Sequence, residues 1–279
     1  MISPSKPDFD TVIDAKSIQR QYIKDILRHR ELIYFFSWRD ILVRYKQAFF
    51  GIAWALLRPL LTMFLFTLVF SRMAHLPSEN VSYPLFVLAG MLPWQIFSNT
   101  IADSCHCMLN NSNLILKVYF PRIIIPSSQM IVHLVDFLIG LVMLIILAIF
   151  LGAIDPLTFF AFPIFVILTA FLCLGGAFWL SALAVKYRDF RFIIPFVVQF
   201  GMFLSPVGYG TFLIPEKWIW FYQLNPLVGI IDGFRWSFFG ISYPYFVDSL
   251  VISTVMTLVI LITGFWYFRN LEQTLADSL

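Results

Sequence analysis

Three charged residues stand inside long apolar segments, where a charge is costly and by default marks function. They are Arg58, Asp103 and Asp136. Arg58 lies about one and a half turns inside its segment, so its side chain could reach the headgroups or contact an anion at the mouth of a cavity. The sequence leaves both roles open. The two aspartates fall near the ends of their segments, which favours capping or a buried hydrogen bond.

Sequence motifs for catalysis are missing. None of the 13 glycines is followed by lysine, so the nucleotide-binding pattern GxxxxGK[ST] is absent, as are HExxH and a Ser-His-Asp constellation. Cys105-His106-Cys107 fits no standard zinc spacing. Asp8-Phe9-Asp10 matches the DxD pattern of metal-dependent glycosyltransferases, but such triplets are common in polar tails. We therefore expect no catalytic residue, metal or cofactor in this chain.

The elements that position these charges are predicted to be membrane helices. The 279 residues have a mean hydropathy of +0.84 and are 13% charged, whereas a soluble domain is roughly a quarter charged. One spanning helix needs roughly 20 apolar residues. The pattern predicts an all-α integral membrane protein with six transmembrane helices. Their predicted ranges are 51–70, 83–101, 130–151, 159–185, 192–207 and 246–268.

Residues 1–29 are polar and mixed in charge, and we expect a cytoplasmic tail without a cleavable signal peptide. Residues 30–49 predict an amphipathic helix lying in the headgroup plane. Its apolar side would carry Tyr34, Phe35, Trp38, Ile41, Leu42, Tyr45 and Phe49. Its polar side would carry Ser37, Asp40, Arg44 and Gln47, with Phe36 and Val43 as exceptions there.

Two further segments interrupt the spans. Residues 208–245 are aromatic but broken by Pro215 and Pro226, which predicts a re-entrant periplasmic helical hairpin, with an ordinary surface loop as the alternative. Residues 110–128 begin with Asn and Ser and contain two prolines. Here the pattern predicts a short amphipathic helix, stopped by Pro121, that could plug into a partner protein; a plain loop is the alternative. That helix would carry Leu114, Lys117, Tyr119 and Phe120.

Lysine and arginine set the orientation. In the six-span arrangement, 15 of the 19 fall on one side, three on the other, and Arg58 lies within the first span. Loops rich in these residues stay in the cytoplasm. We therefore predict that both termini are cytoplasmic.

Six segments, which follow one another along the chain in the same order as in a known family, resemble that family. Residues 39–61 read RDILVRYKQAFFGIAWALLRPLL and resemble the signature that opens permeases of ABC-class polysaccharide and polyol-phosphate exporters. The matching residues are Arg44, Tyr45, Lys46, Phe50, Gly51, Trp54, Pro59 and Leu60. The other similar segments are GMLPWQIFSNTI (90–101), LILKVYFPRIIIP (114–126), VKYRDFRFIIPFVVQFGMFLSPVGY (185–209), NPLVGIIDGFR (225–235) and FRNLEQTLADSL (268–279).

The resemblance implies that residues 50–279 form a permease domain in the bacterial inner membrane. Such permeases are homodimers that join two Walker-A ATPase subunits, and ATP and Mg²⁺ bind in those partners. The implied substrate is an undecaprenyl-diphosphate-linked polysaccharide such as O antigen, and no nucleic acid is involved.

The resemblance also implies roles for single residues. Residues 110–128, which we call the coupling stretch, would contact the ATPase through Lys117, Tyr119, Phe120, Pro121 and Arg122. Cations for the lipid diphosphate would be Arg39, Arg44, Lys46 and Arg58. Aromatic rings that could line a sugar channel are Trp54, Phe64, Phe66, Phe196, Phe200 and Phe203.

Three alternatives stay open at this stage. A teichoic-acid export permease shares the same pattern. An isoprenoid-linked membrane glycosyltransferase would need acidic metal ligands or a base in a cavity, and the candidate acids, Asp103 and Asp136, belong to no recognisable motif. A secondary transporter would often show internal repeats, and residues 50–150 and 160–270 show no convincing one.

Overall fold

The computed structural model describes residues 18–46, 51, 53–73, 75, 77–78 and 81–278, and in this part the chain is helical without strands. The helices described are α1 (Ile18–Arg28), α2 (Arg30–Lys46), α3 (Ala53–Phe66), α4 (Tyr83–Asn110), α5 (Ser112–Lys117), α6 (Ile124–Phe150), α7 (Phe162–Lys186), α8 (Phe190–Phe203), α9 (Glu216–Gln223), α10 (Pro226–Phe239) and α11 (Phe246–Ser278). A π-helical turn, Thr67–Met73, continues α3, and the short 3₁₀ turns are Phe159–Ala161 and Thr211–Leu213.

Helix α4 is the centre of the bundle. It packs against α6, α7, α8 and α10, and 78% of its apolar window is buried, compared with 6% for the helix that includes α3. Helices α7 and α11 form another close pair. A Cβ added at Gly175 would lie only 2.7 Å from the Cα of Leu261, so glycine is needed where these two backbones meet.

Five helices of the described chain are long and apolar enough to cross a membrane. Their ranges are Ala53–Met73, Tyr83–Asn110, Ile124–Phe150, Phe159–Lys186 and Phe246–Glu272. They correspond to five of the six predicted spans, and the protein is a multi-pass membrane protein. The remaining one, predicted at 192–207, contains α8, whose 14 residues reach only about 21 Å. The count of six spans therefore stays a prediction.

Helices α9 and α10 occupy the segment predicted as a re-entrant hairpin. Asn225 caps α10 by accepting a hydrogen bond from the backbone N–H of Leu227, and Pro226 supplies the fixed φ of its first turn. Gly240, at φ 68°, ends the helix. Helix α10 is buried against α4, α7 and α11, whereas α9 exposes Trp218, Trp220 and Phe221. The two short helices are present, and their insertion into a leaflet stays a prediction.

The N-terminal region differs in detail from the sequence-based expectation. The stretch expected as a tail contains α1, while residues 1–17, which include the DxD triplet, lie outside the described residues. The predicted interface helix is α2, and residues 47–50 lie outside the described part. Phe36, an exception to the predicted pattern, is buried, whereas Tyr34 and Trp38 of the predicted apolar face are exposed.

Candidate functional site

The polar face of α2 holds this helix against α6. The Ser37 hydroxyl donates to the carbonyl of Ser128 at 3.4 Å, and the Gln129 amide donates to the Asp40 carboxylate at 2.9 Å. Both pairs join residues about 90 positions apart. Tyr34, Phe35 and Trp38 of the predicted apolar side point away from the protein, but Tyr45 of the same side turns inward to Asp136, so the expectation for Tyr45 is wrong. The position of α2 in the headgroup plane stays a prediction.

An ionic cluster joins α2 to α4 and α6. The Arg44 guanidinium donates to Asp136 in α6 at 2.6 Å through Nη1 and to Asp103 in α4 at 3.1 Å through Nη2. Both aspartates, expected from the sequence to act as caps or in buried hydrogen bonds, are therefore partners of one arginine. All three side chains are partly exposed, between 26% and 46%.

Two further side chains complete this cluster. Nδ1 of the buried His133 lies 3.2 Å from Arg44 Nη1, and its Nε2 lies 2.8 Å from Asp103 Oδ2. These contacts fit a neutral imidazole that accepts at Nδ1 and donates from Nε2. The Tyr45 hydroxyl donates to Asp136. Burial, and next the hydrogen bond to Asp136, raises the pKa of the Tyr45 phenol, so that it stays a donor.

Two cavities meet at the pair of Arg44 and Asp103. The first, which we call the inner cavity, measures about 480 Å³ and extends between α3, α4 and α6. It is lined by Arg44, Tyr45, Gly51, Trp54, Ala55, Arg58, Pro59, Leu92, Gln95, Ile96, Asn99, Asp103, His133, Asp136 and Phe137. The second measures about 630 Å³ and lies between α2, the end of α4 and the start of α6. Both are partly polar, in contrast to the apolar bundle around them.

The cations predicted to meet a lipid diphosphate are not equivalent. Arg39 is paired with Asp40 at 2.8 Å, and Arg44 is engaged by two carboxylates. Arg58 and Lys46 are exposed and form no ion pair with any residue that the structure describes. Their role stays a prediction, but only these two offer a charge that no described carboxylate compensates.

The predicted channel aromatics also fall into two groups. Phe64, Phe196, Phe200 and Phe203 expose more than half of their surface, and the rings of Phe196 and Phe200 lie 4.3 Å apart. Trp54 is exposed to 46% and lines the inner cavity. Phe66 is half-buried and packs on Phe70, with ring centroids 5.2 Å apart. Of the six, Phe66 is thus the one turned toward the protein core.

The coupling stretch is shorter as a helix than predicted. Helix α5 ends at Lys117, and Val118 is extended, so Tyr119 and Phe120 follow the helix instead of belonging to it. Pro121 explains part of this, because a proline disfavours the helical conformation of the residue before it. Tyr119 is 92% exposed, whereas Phe120 is buried and packs on Phe36 at 5.8 Å.

Helices α1 and α11 hold the coupling stretch in place. The Glu272 carboxylate in α11 accepts hydrogen bonds from the backbone N–H of Arg122 at 2.6 Å and from the Tyr22 hydroxyl in α1 at 2.5 Å. The guanidinium of Arg122 donates to the backbone carbonyl of Glu272. Arg122 is therefore fixed between α1 and α11, while Lys117 and Tyr119 stay exposed.

Two lining residues of the inner cavity, Gln95 and Asn99, were not singled out from the sequence. With Asp103 they form a polar series at positions i, i+4 and i+8 of an apolar helix, and that spacing was the available signal. In the described residues, no group of three His, Cys, Asp or Glu side chains is placed to hold a metal ion.

Comparison with known proteins agrees with this architecture. Residues 31–239 match the model of the ABC-2 type transporter family. The chain is 27% identical to an O-antigen export system permease protein RfbA of Klebsiella pneumoniae over 86% of its length and 92% of the relative's. It is 24% identical to RfbA of Myxococcus xanthus, over 92% and 98% of the two chains. It is also 24% identical to the polysialic acid transport protein KpsM of Escherichia coli, over 86% and 93%.

The bundle and its charged cavities define a multi-pass membrane permease. The family match covers well over half of the chain, and the chain belongs to the ABC-2 type transporter family. The relatives named above are transport permeases, which agrees with a permease subunit.

Proposed function

We propose that this chain is the transmembrane subunit of a bacterial exporter that moves an undecaprenyl-diphosphate-linked polysaccharide across the inner membrane. O antigen is the polymer that the names of the RfbA relatives favour. ATP and Mg²⁺ would bind in a separate Walker-A ATPase, two copies of which join a permease homodimer. Both termini would be cytoplasmic, on the side to which 15 lysines and arginines are assigned.

The observation that carries this proposal is the inner cavity at one end of an apolar bundle. It lies beside α3, which is only 6% buried over its apolar window. A polar cavity within a membrane protein marks a substrate path, since polar groups in hydrocarbon are costly. Sugar rings are polar at their edges and apolar at their C–H faces. A path that begins with a polar cavity and continues along aromatic rings can therefore contact both parts of a sugar.

The exposed residues supply the parts that export requires. Arg58, with Lys46, would meet the lipid diphosphate at the cavity mouth, because neither charge is compensated by a described carboxylate. Exposed aromatic rings on α3 and α8 would line the polymer's route in the homodimer. These rings are Trp54, Phe64, Phe196, Phe200 and Phe203.

The cytoplasmic surface supplies the contact for the ATPase. Lys117 and Tyr119 are exposed there, while Phe120, Pro121 and Arg122 shape the stretch from within. Movement of the ATPase would reach the bundle through Arg122, which is fixed to α11 by Glu272.

The test uses a strain in which the chromosomal gene for this permease is deleted and a tagged permease is supplied instead. Polymer at the cell surface measures export, and purification of the tagged permease shows which proteins bind it. We expect a Walker-A ATPase to co-purify and polymer to reach the cell surface. Arg58→Ala should lower export at least tenfold, which corresponds to about 1.4 kcal/mol or more. Its membrane level should not change, because the side chain is exposed.

Arg72→Ala is the matched control, since Arg72 is an exposed arginine at the other end of the same long helix. It should export normally. Normal export by Arg58→Ala would remove the assignment of Arg58. Failure to capture any ATPase, together with surface polymer that does not depend on this chain, would overturn the proposed function.

A further inference from the structure

The inner cavity contains two amide side chains without a partner in the described chain. Gln95 and Asn99 lie one turn apart on α4, and both are half-buried. Their side chains form no hydrogen bond with any residue that the structure describes. Because amides in a membrane interior need hydrogen-bond partners, both side chains are available to water or a ligand in the cavity.

The charges at the inner end of the cavity are paired with one another. Arg44 is engaged by both Asp103 and Asp136, so no unpaired cation remains there, whereas Arg58 forms no ion pair with a described carboxylate. The geometry of His133 fits its neutral form. A dianionic group would gain little from such a lining, whereas a neutral ligand rich in hydroxyl groups would find donors and acceptors of both kinds.

The cavity walls suit one chemical class. Gln95 and Asn99 each offer a carbonyl oxygen and an NH₂ group, which can bridge neighbouring hydroxyls of a sugar ring. Trp54 and Tyr45 contribute aromatic surface to the same space. The volume of about 480 Å³ lies within the range of small-molecule sites.

We propose that the inner cavity is a sugar subsite, in which Gln95 and Asn99 hydrogen-bond the first sugar residue of the lipid-linked substrate. This inference rests on the proposed function and deepens it, because it assigns the sugar and the diphosphate to separate, neighbouring binding sites. The diphosphate lies at Arg58, at the mouth of the cavity. The sugar reaches inward along α4, whose positions 95 to 103 span about 12 Å.

The experiment compares two probes on the permease–ATPase complex in nanodiscs. One is a polyprenyl diphosphate that carries a single N-acetylhexosamine, and the other is the same lipid without sugar. We expect the wild type to bind the sugar-bearing lipid about tenfold more tightly, equivalent to about 1.4 kcal/mol. Gln95→Leu/Asn99→Leu should abolish this preference and leave the affinity for the sugar-free lipid unchanged. Arg58→Ala should weaken both lipids by the same factor.

Thermal unfolding separates recognition from a structural role. Replacing unpartnered amides by leucine should leave Tm unchanged or raise it, because no hydrogen bond within the described chain is lost. Asn270→Ala is the control, since Asn270 is an exposed amide on α11 far from the lining of the cavity. The milder Asn99→Ala variant is measured in parallel and should reduce the preference without affecting Tm.

The other outcomes overturn the proposal in distinguishable ways. Equal binding of both lipids by the wild type, or a preference that survives in the double leucine variant, would mean that the cavity holds only water. A lower Tm for both amide variants, with loss of the dimer, would make the amides interface residues. Failure of the wild type to bind either lipid, or to respond to either with ATP hydrolysis, would contradict the proposed function itself.

Discussion

Nη1 of Arg44 lies 2.6 Å from Oδ2 of Asp136, and this ion pair joins α2 to α6 across 92 positions of the sequence. Helix α2 is also held by the contacts of Ser37 with Ser128 and of Asp40 with Gln129. The ion pair therefore makes α2 part of the wall of the inner cavity.

Arg44→Ala should destabilise the attachment of α2. It leaves Asp103 and Asp136 without their shared cation, and for this partly exposed cluster we expect a loss of about 1–3 kcal/mol. The triple variant Arg44→Ala/Asp103→Asn/Asp136→Asn should recover most of the loss, because no uncompensated carboxylate remains. Thermal unfolding in detergent measures both, and Lys46→Ala, on the same helix, is the control. An unchanged Tm for Arg44→Ala would show that the cluster does not hold α2.

Glu272→Ala should uncouple ATP hydrolysis from export. Glu272 accepts hydrogen bonds from Tyr22 and from the backbone of Arg122, so its loss frees the coupling stretch without removing its exposed side chains. We expect the ATPase to co-purify normally while export per ATP hydrolysed falls several-fold. Glu272→Gln keeps an acceptor oxygen and should retain much of the coupling. If Glu272→Ala instead loses the ATPase altogether, the contact is needed for assembly and not for transmission.

The same contact predicts a pH dependence. Burial, reinforced by the nearby Glu272 carboxylate, raises the pKa of Tyr22 well above its ordinary value near 10. In the unfolded chain the phenol ionises near pH 10, so between that pH and the folded pKa the unfolded state binds fewer protons. The stabilisation is therefore complete below pH 10 and is lost as the pH rises further. Unfolding measured at pH 8 and pH 10.5 should show a smaller decrease for Tyr22→Phe than for the wild type.

Alanine variants of two neighbouring residues in the coupling stretch should affect different properties, stability in one case and binding of the ATPase in the other. Phe120 is buried against Phe36, so Phe120→Ala should cost about 3–5 kcal/mol of stability. Tyr119 is 92% exposed, and Tyr119→Ala should change stability by less than about 0.5 kcal/mol. Only Tyr119→Ala should weaken co-purification of the ATPase at unchanged Tm. Normal co-purification and normal stimulation of hydrolysis by Tyr119→Ala would contradict its assignment to the coupling surface.

The membrane spans could be predicted because hydropathy and length are local properties of the sequence. The partners of Arg44 could not, since Asp103 and Asp136 lie 59 and 92 positions away and only the packing of α4 and α6 brings them together. Helix α8 was expected to be longer because the apolar run continues past Phe203. The helix ends there, ahead of Pro206, which has no N–H and disfavours the helical conformation of the residue before it. The turn that follows is bound by Arg235 through the carbonyls of Val207 and Tyr209, a contact that the sequence could not reveal.

Arg235 should be the least replaceable charge in the described chain. Its guanidinium is fully buried, lies 3.6 Å from the centroid of the Phe86 ring, and donates to the carbonyls of Val207 at 3.0 Å and Tyr209 at 3.1 Å. The positive charge also lies 3.8 Å from the buried Asp232 carboxylate. Removing it leaves that carboxylate uncompensated, so Arg235→Ala should cost about 3–5 kcal/mol and reduce the amount of protein in the membrane.

Arg235→Lys tests whether charge alone suffices. A lysine ammonium keeps the charge near Asp232 but cannot present a planar fork to two carbonyls, so we expect it to recover only part of the stability. The double variant Arg235→Met/Asp232→Asn separates the two contributions, because it removes the charge pair and leaves only the loss at the carbonyls. Membrane level and Tm are the measurements, with the exposed Arg72 as the control position. Full stability of Arg235→Lys would mean that the turn after α8 is held by its own packing, and the guanidinium would lose its role in ending that helix.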